Sequence, residues 1–238
     1  MPSPYTHLFF DLDHTLWDFD KNSEETLTEL FFELELDRLL CIKVASFLKS
    51  YAKVNRNMWS SYNSKNITKD QMREQRFSLV FRDFGIVNTE LALQVNDEYL
   101  KRCPTKPHLL PGTIELLEHV SDNYSCHVIT NGFEETQHRK LSHSGLSKYF
   151  EKVFTSESTG FTKPDRRIFH RALDDTGASP ANTLMIGDNL STDIRGAKSM
   201  KIDQVYCNFN GYFHKQSPTF EVQNLSELLG LFKSNFQN

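Results

Sequence analysis

A short apolar run that ends in an acidic residue constrains the fold most strongly. Residues 7–10 (His-Leu-Phe-Phe) precede Asp11 and predict a buried strand. After Pro111, strand and helix patterns alternate, which is typical of a parallel sheet with helices on both faces. Further strands are predicted at residues 126–130, 153–155, 183–188 and 204–207. We therefore predict an α/β fold with a Rossmann-like parallel sheet, whose first strand joins the others across a long insertion.

The insertion itself has helical patterns only. Leu27, Leu30, Phe31 and Leu34 recur at helical spacing, and three more amphipathic patterns follow before the prolines near residue 105. Asn22 with Glu25 and Thr68 with Gln71 have the spacing of capping boxes. We predict a core formed by residues 1–17 and 106–238, and an inserted four-helix cap at residues 18–105.

Charge and composition exclude several classes of protein. Lys and Arg number 27 against 31 Asp and Glu, a formal charge of -4, so no nucleic-acid polymer is expected as a partner. No apolar run is long enough to span a bilayer, and the first five residues do not resemble a signal peptide. The four cysteines are widely separated. We expect reduced thiols, a cytoplasmic protein and no membrane partner.

Acidic residues follow two of the predicted strands. Asp11 and Asp13 end the first, while Asp188 ends a later strand and Asp193 follows it. Because the carboxyl ends of parallel strands meet at one edge of the sheet, these carboxylates should converge there. Clustered carboxylates repel one another. A hard divalent cation relieves that repulsion, and Mg²⁺ prefers such oxygen ligands.

Other residues at the same edge suit an anion rather than a metal. Thr130 and Asn131 follow the second strand of the core, and Lys163 follows a short strand and Gly160. A lysine and a threonine hydroxyl do not add to a magnesium site, but they would bind a phosphate beside it. The sequence thus indicates a magnesium ion with a neighbouring phosphate.

Together these residues resemble the four motifs of the haloacid dehalogenase superfamily, in its phosphatase branch. Residues 11–15 (Asp-Leu-Asp-His-Thr) are similar to the DxDxT motif, and the other three motifs match in order. These matches are Thr130, then Lys163, then Asp188 with Asp193. Residues 129–133 and 160–164 further resemble the pyrimidine 5′-nucleotidase branch. The resemblance covers nearly the whole chain, and the inserted helices lie where this superfamily places one type of cap.

The resemblance implies a two-step phosphoryl transfer. Asp11 would be the nucleophile and form an aspartyl-phosphate, while Asp13 would act as general acid and then general base. Asp11, the main-chain carbonyl of Asp13, and Asp188 would hold Mg²⁺. Asp193 would orient either a metal-bound water or Lys163.

The resemblance also implies how the substrate is bound. Thr130 and the Asn131 amide would bind phosphate oxygens, and Lys163 would offset negative charge on the phosphate and on Asp11. The expected substrate is a small phosphomonoester, with a pyrimidine nucleoside 5′-monophosphate favoured. His14 is assigned no role, because its position in the motif is variable.

Several alternatives remain open at this point. A sugar-phosphate phosphatase of the same superfamily would have the same catalytic residues, and a phosphomutase would need the cap to retain the intermediate. A non-catalytic phosphate-binding module is disfavoured, because Asp11, Asp13 and Lys163 are all present. A dehalogenase is also disfavoured, because hydrolysis of a carbon–halogen bond would not need Asp13. Thr15 could cap a turn or orient Asp13. The bases of residues 38–82 could attract an anionic substrate, although solvated helix faces are the simpler interpretation. The oligomeric state is not predicted.

Overall fold

The computed structural model describes residues 4–234; the first three residues, on which part of the signal-peptide prediction depends, lie outside this range. The chain divides into two compact units. One unit extends through Phe19 and continues from Pro107, and the other is Asp20–Lys106. The sequence patterns place the two boundaries at residues 17/18 and 105/106.

The first unit is built on a parallel sheet of six strands in the described chain. In chain order the strands are β1 (His7–Phe10), β2 (Ser125–Ile129), β3 (Lys152–Phe154), β4 (Thr183–Gly187), β5 (Asp203–Cys207) and β6 (Phe220–Val222). Their spatial order is β3-β2-β1-β4-β5-β6. The predicted α/β class and parallel sheet are confirmed. The short strand β6 is not predicted by the sequence patterns.

Strand β1 lies in the centre of the sheet despite its position near the start of the chain. Phe10 is in register with Val128 of β2 on one side and with Ile186 of β4 on the other. Leu8, Phe9 and Phe10 are fully buried, as expected for a strand with neighbours on both edges. This position brings the end of β1 next to the ends of β2 and β4.

Helices of the two units are numbered along the chain. The helical unit contains α1 (Phe19–Glu33), α2 (Leu36–Leu40), α3 (Val44–Asn63), α4 (Lys69–Arg82) and α5 (Thr89–Arg102). The sheet unit contains α6 (Thr113–Ser121), α7 (Glu134–His143), α8 (Ser156–Thr159), α9 (Arg166–Thr176), α10 (Arg195–Ser199) and α11 (Leu225–Ser234). None of the helices within residues 4–234 is both long and apolar enough to cross a membrane.

The helical unit differs in detail from the predicted four-helix arrangement. Four long helices are present, with the five-residue α2 between the first two. The capping box of Thr68 and Gln71 is present at the start of α4. The box predicted for Asn22 is wrong, because α1 begins at Phe19 and Asn22 is buried within it.

One basic residue of the helical unit is not on a solvated face. Arg76 is 4% exposed, and its guanidinium donates hydrogen bonds to Asn55 Oδ1 at 3.2 Å and Asn96 Oδ1 at 3.3 Å. It also lies over the Tyr99 ring, 5.4 Å from the centroid. The interpretation of solvated helix faces therefore fails for Arg76, whose charge lies inside the helical unit.

Candidate active site

The carboxyl ends of β1 and β4 bring two acidic residues side by side. Asp11 directly follows β1, and its main-chain N–H donates to Ile186 O at 2.9 Å. Asp188 directly follows β4. Because β1 and β4 are parallel neighbours, both carboxylates are directed to the same edge of the sheet.

A third carboxylate completes this group. Asp193 lies on a π-helical turn, Leu190–Ile194, that follows β4. Asp11, Asp188 and Asp193 can each place an oxygen within 4.8 Å of the others. Gly187 permits this approach, because a Cβ at that position would lie 2.3 Å from Asp193 Oδ2. The local backbone thus depends on a residue without a side chain.

Lys163 supplies positive charge to this group. Its Nζ lies 2.5 Å from Asp11 Oδ1 and 2.8 Å from Asp193 Oδ1, and donates to Ile129 O at 2.7 Å. The Asn131 side chain fixes the Lys163 main chain, donating to Lys163 O at 2.9 Å and accepting from Lys163 N at 2.6 Å. Lys163 is almost completely buried, so its charge acts on these carboxylates at short range.

The three carboxylates carry more charge than one lysine compensates. Burial raises the pKa of Asp11 to about 7, with Lys163 opposing the rise and Asp193 adding to it. Burial, Asp11 and Asp193 raise the pKa of Asp188 well above its usual range. Burial lowers the pKa of Lys163, but Asp11 and Asp193 outweigh that effect and raise it. The possible ligand atoms in this cluster are all oxygens, and they carry excess negative charge. Both properties fit a divalent cation such as Mg²⁺.

The expected phosphate-binding residues lie at the adjacent strand end. Thr130 follows β2 and is 2% exposed, and its Oγ1 accepts a hydrogen bond from Gly132 N at 3.1 Å. Thr15, which could cap a turn or orient Asp13, has its hydroxyl near two other carboxylates. Its hydroxyl lies 3.5 Å from Asp11 Oδ2 and 3.4 Å from Asp188 Oδ1, at the long limit for a hydrogen bond.

Asp13 has two partners that the motifs do not include. Lys140 Nζ lies 2.5 Å from Asp13 Oδ1, and Gln137 Nε2 donates to Asp13 Oδ2 at 3.0 Å. Burial raises the pKa of Asp13, but the charge of Lys140 and the hydrogen bonds from Lys140 and Gln137 outweigh it and lower the pKa. Sequence could have marked Gln137 and Lys140 as buried, because with Leu141 they have the spacing of a buried helix face, but it could not identify their partner. A glutamine and a lysine in that pattern need a buried partner.

The predicted acidic residues and Lys163 therefore divide into two groups. Asp11, Lys163, Asp188 and Asp193 form one connected cluster. The carboxylate of Asp13 lies against α7. Arrangements of this kind can hold a metal ion, attack an electrophile and move a proton within a few ångströms.

Known proteins resemble this chain in both sequence and structure. The profile of the haloacid dehalogenase-like hydrolases matches residues 5–201. The pyrimidine 5′-nucleotidase PynA of Streptococcus pneumoniae is 32% identical over 97% of this chain and 96% of its own. The pyrimidine 5′-nucleotidase YjjG of Escherichia coli is 30% identical over 93% and 95%.

A solved structure extends the match to three dimensions. The magnesium-bound HAD-hydrolase YfnB of Bacillus subtilis superimposes with a TM-score of 0.87 at 27% identity, covering 96% of this chain and 99% of that one. The superfamily predicted from the four motifs, and the expectation of an enzyme, are confirmed. The chain belongs to the haloacid dehalogenase-like hydrolases.

Proposed function

We propose that this chain is a Mg²⁺-dependent phosphatase that hydrolyses small phosphomonoesters through an aspartyl-phosphate. The observation that carries the proposal is the cluster of three carboxylates, two of them buried, and Lys163 at the ends of β1 and β4, with Asp13 close by in sequence. The sequence resemblance to two pyrimidine 5′-nucleotidases supports the same reaction.

In the first step, an Asp11 carboxylate oxygen attacks phosphorus and the bond from phosphorus to the leaving oxygen breaks. Asp13 enters this step carrying the proton that it took from water in the preceding turnover, and gives that proton to the leaving oxygen. In the second step, water attacks the same phosphorus, Asp13 accepts its proton, and the bond between phosphorus and Asp11 breaks. Asp11 is thereby restored, and the products are an alcohol and inorganic phosphate.

The remaining residues hold charge in place during both steps. Asp11, Asp188 and the main-chain carbonyl of Asp13 would hold Mg²⁺, which when bound offsets negative charge on the phosphate. Asp193 fixes Lys163 through the ion pair of 2.8 Å. Thr130 would bind a phosphate oxygen. The Asn131 side chain binds the Lys163 main chain, so phosphate binding by Asn131 falls to its main-chain N–H.

We assign nucleoside 5′-monophosphates, with pyrimidines preferred, as the substrate class. PynA and YjjG, both named as pyrimidine 5′-nucleotidases, match this chain over almost its full length. The helical unit would then serve as the cap. The cytoplasm is the proposed location, supported by the four free thiols.

Phosphate release from a panel of phosphomonoesters tests the proposal. The panel holds pyrimidine and purine 5′-monophosphates, sugar phosphates and p-nitrophenyl phosphate, each with Mg²⁺ and with EDTA. We expect Mg²⁺-dependent release led by pyrimidine nucleotides. Asp11→Asn should abolish release, while Asp122→Asn, at an exposed position at the end of α6, should not change it.

Each other outcome of the panel has a distinct meaning. Release led by sugar phosphates would contradict the nucleotide assignment and keep the mechanism. Turnover retained in Asp11→Asn would refute the covalent mechanism. No release from any compound by folded protein with Mg²⁺ would refute the phosphatase proposal.

A further inference from the structure

The inward face of α7 carries polar side chains where a core would normally be apolar. Gln137 is 1% exposed and Lys140 is 4% exposed, next to the buried Leu141. Burying a lysine charge is costly unless it is paired and hydrogen-bonded. This cost indicates that both side chains bind a specific partner.

That partner is the Asp13 carboxylate, which they bind through both oxygens. Lys140 Nζ lies 2.5 Å from Oδ1, and Gln137 Nε2 lies 3.0 Å from Oδ2. Two donors on different oxygens fix the rotation of the carboxylate as well as its position. A single ion pair would leave the carboxyl group free to rotate.

Aromatic rings from the segment after Asp13 hold the lysine in turn. Lys140 Nζ lies 4.4 Å from the centroid of the Trp17 ring and 5.6 Å from that of Phe19. Trp17 is fully buried, and a cation over an indole face is attracted by the ring quadrupole. The ammonium group therefore has a defined place and is not a mobile surface cation.

Gln137 also reaches the loop that carries the expected phosphate ligands. A Cβ on Gly132 would lie 1.8 Å from Gln137 Nε2, so the side chain packs directly on that glycine. The Gly132 N–H donates to Thr130 Oγ1. Gln137 Oε1 is buried with no hydrogen-bond partner within residues 4–234. One side chain thus connects the Asp13 carboxylate with the Thr130 loop.

We propose that Lys140 and Gln137 are positioning residues that hold the Asp13 carboxyl group in the orientation from which, when protonated, it gives its proton to the leaving oxygen. The inference rests on the proposed phosphatase function. Neither residue touches the reacting atoms in this role, since both act through Asp13. The alternative is an ion pair that only joins α7 to the segment after β1.

Leaving-group dependence separates these two roles. A nucleoside 5′-monophosphate expels an alkoxide, which needs a proton from Asp13, whereas p-nitrophenyl phosphate expels a stable phenolate that needs little help. For Lys140→Met we expect kcat/KM to fall about 10- to 100-fold with the nucleotide, part of the contribution typical of general acid catalysis. With p-nitrophenyl phosphate the fall should be about threefold or less, and KM should change less than kcat.

Two further variants sharpen the test. Lys140→Arg should restore part of the loss, because it keeps a cation facing Asp13. If Lys140 acts through Asp13, adding Lys140→Met to Asp13→Asn should cause no further loss, since the two residues work as one unit. Lys148→Met is the matched control, because Lys148 is exposed in the short helix Ser147–Tyr149 and its loss should leave both substrates unaffected.

The outcomes distinguish the inference from the function on which it rests. No phosphate release by the unsubstituted protein would refute both. An active unsubstituted protein, with equal losses on the two substrates or with losses that add to those of Asp13→Asn, would overturn the inference alone. If circular dichroism shows that Lys140→Met does not fold, Gln137→Met removes one hydrogen bond without burying a new charge. It must then show the same leaving-group dependence, and equal losses there would also overturn the inference.

Discussion

Removal of the Lys163 ammonium group should cost the sheet unit much of its stability. Its Nζ contacts Asp11 Oδ1 at 2.5 Å, Asp193 Oδ1 at 2.8 Å and Ile129 O at 2.7 Å, and its side chain is 2% exposed. Lys163→Met keeps the length of the side chain, so little cavity is created, but two buried carboxylates lose their cation. Removing one partner from a buried ion pair costs about 3–5 kcal/mol.

Urea unfolding in EDTA measures this loss without a metal ion to compensate for it. The chain has two tryptophans, and Trp17 lies in the sheet unit while Trp59 lies in the helical unit. In a Trp59→Phe background, Trp17 fluorescence reports on the sheet unit alone. With a typical slope for urea of 1–3 kcal/mol/M, the midpoint should fall by about 2 M.

The same substitution at an exposed lysine is the control. Lys148→Met should change the free energy of unfolding by about 0.5 kcal/mol or less. A fall below about 1 kcal/mol for Lys163→Met would refute the reasoning, because it would mean that Asp11 and Asp193 do not depend on this cation.

Three other predictions follow from the same geometry. Mg²⁺ at 100 times its Kd should stabilise the protein by about 2.7 kcal/mol in calorimetry, and Asp188→Asn should remove that gain; a gain kept in the variant would count against the metal site. Gly187→Ala should destabilise by about 1–3 kcal/mol, because its Cβ would meet Asp193. Gly230→Ala, in α11, should stabilise the protein by about 0.5–1 kcal/mol, because a Cβ at that position would have no atom within 4 Å. If urea unfolding shows that both substitutions change the free energy of unfolding in the same direction, the contrast is contradicted. Burial lowers the pKa of His127 to about 4. As pH falls, the unfolded chain therefore protonates this histidine before the folded protein does, and up to about 3 kcal/mol of stability is lost between about pH 6.5 and pH 4. A His127→Phe variant should lose less stability over that interval, and an unchanged pH profile would show that His127 does not titrate as described.

The strand ends were predictable because they depend on local sequence. An apolar run that stops at a polar residue indicates where a buried strand meets solvent, and this placed Asp11 and Asp188 correctly at the ends of β1 and β4. The capping box of Thr68 was also found. The Asn22 pair failed because a polar residue three positions before a glutamate occurs inside helices as well as at their ends.

The partners of Asp13 could not be predicted from local patterns. Lys140 is far from Asp13 in sequence, and the ion pair between them depends on the packing of α7, the helix that follows β2. The interpretation of a solvated face is wrong for Arg76 for a similar reason. Its hydrogen-bond acceptors, Asn55 and Asn96, come from two other helices. Packing determines the tertiary partners of buried charges, and helical periodicity alone does not predict packing partners. The catalytic roles given to the site residues stay predictions.

The central position of β1 has a consequence for the order of assembly during synthesis. Its partners in the sheet begin at Ser125 and Thr183, so the ribosome must extend the chain through β4 before β1 is paired on both edges. Domains generally fold as units while the chain emerges, and Asp20–Lys106 is complete long before β4. We expect the helical unit to form first and to bring the ends of its own segment together. During that time Leu8, Phe9 and Phe10 have no partner strand. Asp11, the proposed nucleophile, is thus made well before the residues of β4 beside which it lies.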